Sequence, residues 1–242
     1  MYSRTIIKTL IILSGLLGSV LQAREYHFVT LEFPPYEYLD KKTLHPKGFA
    51  VDRVQQIAKR NQLNIKILVL PWTRSLSMAK KGEADAIFTI YKNPDREQFL
   101  DFSNEVLAYQ IVSLFIHKNR TIKYDPSAPL KSLKQYTFGV VSTISYGSIF
   151  DNFKKNLQLE TVHNLEANLR KLKSSRVDIV PYNYHVAKYT IDNNIAEFSN
   201  SFKLLVHPLQ EVPSYIAFTK KKNLTELKAI FDQELKTLGP IR

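Results

Sequence analysis

Amphipathic stretches alternate with short apolar runs along this chain. In GFAVDRVQQIAKRNQL at 48–63, the residues Phe49, Val51, Val54, Ile57 and Ala58 recur at helical spacing, with AspArg, GlnGln and LysArg opposite. That pattern predicts a core-facing helix. YHFVTL at 26–31 and NIKILVLP at 64–71 read as strands. ADAIFTI at 84–90, bounded by Gly82 and the turn at Asn93 and Pro94, reads as a strand buried on both faces. A helix beginning at Trp72 joins the last two. The order strand, helix, strand, helix, strand predicts an α/β architecture, a parallel sheet covered by helices.

The segment 106–118, VLAYQIVSLFIHK, is too long for one half-buried strand and suits a strand crossing between two lobes. The linker at 121–130, with Pro126 and Pro129, marks a boundary. Beyond it the rhythm repeats, with strands at 136–142, 159–163 and 177–181 and helices at 146–157 and 166–174. The last strands are expected at 202–209 and 214–220. A final helix at 223–238 presents Leu224, Leu227, Ile230, Phe231 and Leu235 to the first lobe. The expected lobes are 24–112 with 219–242, and 113–218.

Composition bounds the function. The chain has 242 residues, 44% hydrophobic and 23% charged, enough apolar material for one large domain or two lobes. Lys and Arg number 34 against 22 Asp and Glu, but the resulting +12 is dispersed. No basic face with aromatic platforms and no binding motif supports a nucleic-acid partner. Arg4 and Lys8 precede an apolar run at 9–21 that is shorter than the ~20 residues a bilayer-spanning helix needs. Residues 1–23 therefore read as a secretory signal peptide, cut after Ala23. With no cysteine, neither a disulfide nor a lipidated cysteine anchor is expected, so the exported chain should be free in the periplasm as a monomer. The six histidines are scattered, none at i and i+4, and no metal site or cofactor is implied.

Candidate chemistry centres on GEADAIFTIYKNPDREQFLDFS at 82–103. If the sheet is parallel, the carboxyl end of this strand is where ligands bind, which puts Thr89, Tyr91 and Arg96 there. Arg96, flanked by Asp95 and Glu97, also suits an ordinary surface position. The segment resembles the strand-turn-arginine signature of bacterial extracellular solute-binding proteins of the polar amino-acid type, family 3, with the two-lobed type II periplasmic binding protein fold. Gly82, Asp85, Ala86, Arg96, Asp101, Phe102 and Ser103 carry the likeness. The resemblance implies a mostly parallel sheet with flanking helices in each lobe, a ligand cleft between the lobes, and an arginine that forks onto a ligand carboxylate. Planar guanidinium suits that pairing and lysine does not.

Other positions follow from the same resemblance. In the FPPY turn at 33–36, Phe33 takes the place of the aromatic that stacks on the ligand and Tyr36 that of a second one. Trp72 is expected at the cleft wall and Arg74 as a second anion contact, in a subset with ProTrp followed by arginine. Ser145 keeps a hydroxyl where the family completes carboxylate binding, beside Tyr146, although it equally suits a helix cap. Asn183 stands where an aspartate often pairs with the ligand's α-amino group; an amide brings no charge. The expected function is capture of a small carboxylate-bearing ligand for an ABC permease or a membrane sensor, without catalysis. The alternative is an enzyme resembling periplasmic cyclohexadienyl dehydratase, for which Glu32, Glu37 and Glu211 are available.

Overall fold

The computed structural model describes residues 24–142 and 144–241, so the signal peptide expected at 1–23 lies outside it. β1 (Glu25–Thr30) leads through the FPPY turn and a small hairpin, β2 (Tyr38–Leu39) with β3 (Pro46–Lys47), into α1 (Phe49–Arg60). Gly48 makes this entry possible. Its φ is +118°, and a Cβ there would lie 2.4 Å from the Tyr36 carbonyl oxygen. The face α1 buries is Ala50, Val51, Val54, Ile57 and Ala58. Phe49, expected on that face, is 54% exposed, because as the first helical residue it lies outside the stripe and meets Tyr36 edge-on.

β4 (Asn64–Val69), α2 (Trp72–Lys81) and β5 (Ala86–Tyr91) complete the expected order, with β1 parallel to both β4 and β5. α3 (Pro94–Glu97) is a single turn, followed by β6 (Leu100–Phe102) and the long β7 (Ala108–His117). Beyond the linker come β8 (Thr137–Val141), α4 (Ser148–Phe153), β9 (Gln158–Val162), α5 (Leu165–Lys173), β10 (Val180–Asn183), α6 (Tyr184–Asn193) and the short α7 (Ile195–Phe198). The chain returns along β11 (Phe202–Thr219) and ends in α8 (Thr225–Leu238).

The two last strands expected from the sequence are thus one element. β11 pairs antiparallel with β7 over 202–214 and with β5 and β6 over 214–219. Register shifts around Val206 to Gln210 absorb the interruption that His207 and Pro208 make in the pattern. β7 also takes β10 as an antiparallel neighbour, and β8 and β9 form a parallel pair bridged to Ile179. The result is an α/β fold of two lobes, with β7 and β11 running between them.

Packing follows the apolar stripes. Phe231 of α8 sits 5.3 Å from Phe28 of β1 and 5.9 Å from Phe218 of β11, ring centre to ring centre. Each such ring removed from water contributes about 1.5 to 3 kcal/mol. Asp85 of the GxxDA motif is structural: it accepts the His27 N–H at 2.8 Å and pairs with Arg24 and Lys222, each at 2.9 Å. Burial raises its pKa, but the His27 N–H, Lys222 and Arg24 outweigh that and hold the carboxyl below its ordinary value. No helix among the described residues is long and apolar enough to cross a membrane.

Candidate functional site

At the carboxyl ends of β1 and β5 lies a cavity of about 50 Å³. Leu31 and Phe33 follow β1, Trp72 opens α2, and Thr89 and Tyr91 end β5. Arg96 comes from α3, Gln110 from β7, and Ile144 and Ser145 from the turn after β8. Leu31, Trp72 and Ile144 also border an outer cleft of about 1320 Å³, which runs between the 38–47 hairpin and the α5 and α6 side. Those three residues form the neck between the two spaces.

Arg96 is held by short-range chemistry. Asn93 caps the single turn of α3 by accepting the Arg96 backbone N–H at 2.9 Å. The guanidinium turns back to donate to the Tyr91 carbonyl at 2.6 Å and lies 5.3 Å from the centre of the Trp72 ring, in cation–π range. It is half-buried and makes no ion pair among the described residues. Burial lowers its pKa, with Tyr91 and Asp151 acting the other way, and a guanidinium stays charged through such a shift.

Behind the cavity, Thr89 and Glu37 form a buried pair. Thr89 sits at φ +63°, a left-handed conformation costly for a β-branched residue, where β5 bulges against the Tyr215 and Ile216 step of β11. Its hydroxyl donates to Glu37 Oε2 at 2.8 Å. Glu37 is fully buried and its other oxygen has no partner among the described residues. Burial raises its pKa well above the ordinary carboxylate value, opposed by the hydrogen bond from Thr89. Burial thus favours the protonated, uncharged form of this carboxyl.

The opposite wall is differently engaged. Ser145 lines the cavity but donates its hydroxyl to Asp151, which also accepts the Tyr146 N–H at 3.4 Å. The Ile149 N–H goes to Gln210 at 3.0 Å, so the Tyr146 and Ile149 amide groups, expected to face an anion there, already have partners. Tyr146 is packed against Phe150 and Tyr182, its hydroxyl accepting the Val141 N–H at 2.7 Å. Asn183 caps α6, its side-chain oxygen accepting the Val186 N–H at 3.1 Å. The remaining amide nitrogen is buried without a partner among the described residues.

Of the residues singled out in the sequence, Phe33, Trp72, Thr89, Tyr91, Arg96 and Ser145 line the cavity. Tyr36, Arg74, Tyr146 and Asn183 do not. Tyr36 lies behind Phe33, stacked on it at 5.9 Å between ring centres, and burial raises its hydroxyl pKa to about 12. Arg74 points outward from α2 and is exposed. Gln110 was not anticipated. It is 2% exposed and accepts the Tyr91 hydroxyl at 2.8 Å. Its signal was a lone amide within the apolar crossing strand. Among the described residues no group of three His, Cys, Asp or Glu is placed to hold a metal.

Two α/β lobes joined by long strands around a central cavity define a ligand-binding protein of the periplasmic type. The chain belongs to the bacterial extracellular solute-binding proteins, family 3, whose family model matches residues 28–239. It is 25% identical over 167 residues to a probable histidine-binding protein of Neisseria gonorrhoeae, covering 69% of this chain and 61% of that one. It is 24% identical over 155 residues to the L-cystine-binding protein TcyA of Bacillus subtilis (strain 168), covering 64% and 55%. The matched part is thus less than two thirds of either relative. Among solved structures, holo ArgBP from T. maritima matches with a TM-score of 0.70 at 20% identity over 88% of this chain and 90% of that one. A histidine kinase sensor domain similar to periplasmic binding proteins matches at 0.72 and 19% identity, over 88% and 90%. At these identities the likeness is one of fold.

Proposed function

We propose that this protein captures a small carboxylate-bearing ligand in the cavity at Arg96, the lobes 24–112 with 219–242 and 113–218 closing on it about β7 and β11. The observation that carries this reading is a half-buried guanidinium facing the cavity with no carboxylate within ion-pair distance among the described residues. A charge withdrawn from water and left unpaired favours an anionic guest. Phe33 and Trp72 supply aromatic walls for the ligand body. The captured ligand would be delivered from the periplasm to an ABC permease or presented to a membrane sensor. Both contexts occur among the matched structures, one the substrate-binding protein of an amino acid ABC transporter and another a kinase sensor domain.

The described residues lining the cavity include no carboxylate, which supports binding over a dehydratase-like reaction needing an acidic catalyst there. The test is thermal melting against a panel of amino acids, aromatic acids and dicarboxylates, run on wild type and Arg96→Ala. A ligand at a hundred times its Kd adds about 2.7 kcal/mol, or roughly 5 to 11 °C at this chain length. A shift present in wild type and lost in the variant is expected; one that survives the substitution refutes the assignment. Assays with prephenate and arogenate are expected to show no turnover.

A further inference from the structure

The charge balance of the inner cavity narrows the ligand further, on the premise that Arg96 receives its carboxylate. Among the described residues of the lining Arg96 is the one that is charged; its neighbours there are apolar, aromatic, hydroxyl or amide. Carboxyl groups lie near it, but none belongs to the described lining residues. Glu37 is fully buried behind Thr89, whose hydroxyl donates to one of its oxygens, and burial disfavours its charged form. Asp151 is turned towards its own loop, one oxygen taking the Ser145 hydroxyl and the other facing the Tyr146 N–H at 3.4 Å and Lys154 at 3.6 Å, so Lys154 offsets its charge. Glu32 borders only the outer cleft, beyond the neck.

What remains among the described lining residues is one positive charge and no carboxylate. Asn183 does not alter this, because it lies outside the lining, brings no charge, and its oxygen already serves Val186. An α-amino acid carries its ammonium one carbon from its carboxylate. Seating the carboxylate on Arg96 would bury that ammonium near a like charge, with hydroxyl and amide oxygens but no carboxylate among the described lining residues to offset its charge. We propose that the preferred ligand is an organic monoanion, a carboxylate with no ammonium on the adjacent carbon and an apolar or aromatic body. Leu31, Phe33, Trp72 and Ile144 would pack against that body, and its far end would pass the neck into the outer cleft.

Matched pairs test this directly. Calorimetric titration of the purified protein, refolded from denaturant to strip carried-over ligand, would compare phenylalanine with 3-phenylpropanoate, leucine with 4-methylpentanoate, and tryptophan with 3-(indol-3-yl)propanoate. The same titrations would be run on Arg96→Ala. In at least one pair the acid lacking the amino group is expected to bind about tenfold or more tightly than its amino acid, and to lose that binding in the variant. An amino acid that binds more tightly than its partner, in an Arg96-dependent way, overturns the monoanion proposal and leaves carboxylate capture standing. Binding unchanged in Arg96→Ala removes carboxylate capture and the proposal together. Binding of none of the six overturns the proposal, while the wider melting panel still judges Arg96.

Discussion

On the wall built from β1, β5 and α3, a charged side chain keeps hydrogen-bonding capacity towards the cavity, whereas on the wall built from the turn after β8 the polar groups serve their own backbone. Arg96 uses one nitrogen on the Tyr91 carbonyl and retains other N–H donors. Ser145, Tyr146 and Asn183 are committed instead to Asp151, Val141 and Val186. The difference teaches that a position matching the family pattern and a free functional group are separate things. Small polar residues at a turn are drawn first to nearby unsatisfied N–H groups, and a short helix such as α4 leaves few donors over.

The sharpest way to break this comparison is at Arg96. Arg96→Ala is expected to weaken ligand binding by roughly 2 to 5 kcal/mol, because it leaves a buried carboxylate unpaired. Calorimetry checks it, and a smaller loss than that from Ser145→Ala would reverse the ranking of the two walls. Next comes the buried pair behind the cavity. Thr89→Ala removes the donor to Glu37 and is expected to cost about 1 to 3 kcal/mol of stability in urea unfolding.

Glu37 also gives a pH dependence of definite sign. Its folded pKa lies above the unfolded value, so its contribution is fully present below the unfolded pKa and is lost as pH rises through the folded one. Glu37→Gln should match wild type in acid and become the more stable of the two towards alkaline pH, in melts taken across the range. A parallel pair of curves would contradict the raised pKa of Glu37.

Asn183→Ala is expected to lower stability by about 1 kcal/mol through loss of the α6 cap, with little change in affinity. Were affinity to collapse while stability held, Asn183 would belong to the binding surface. The smallest effect is expected for Ser145→Ala, under about 1 kcal/mol in binding, since its hydroxyl is directed at Asp151.

Much of this was legible in the chain because its determinants are local. The helical stripe of α1, the apolar run of β5 and the turn that carries Arg96 all follow from periodicity and from proline and asparagine placement. Misreadings arose where neighbours distant in sequence decide. Phe49 fits the stripe by spacing yet lies beyond its edge, where Tyr36 takes its ring. The pattern of β11 is interrupted at His207 and Pro208, but pairing with β7 on one side and β5 on the other keeps the strand whole. Gln110 stands in an apolar run, and only the fold places Tyr91 beside it.

The amino-acid sequence by itself determined the α/β order, the long crossing strand and an arginine at the end of a buried strand, because hydrophobic period and turn chemistry act over a few residues. Only the tertiary structure decided which side chains face a common cavity and which are held elsewhere. Whether Ser145 or Asn183 has a free group depends on where Asp151 and the first amide groups of α6 lie. Whether Glu37 carries a charge depends on how completely the surrounding core excludes water.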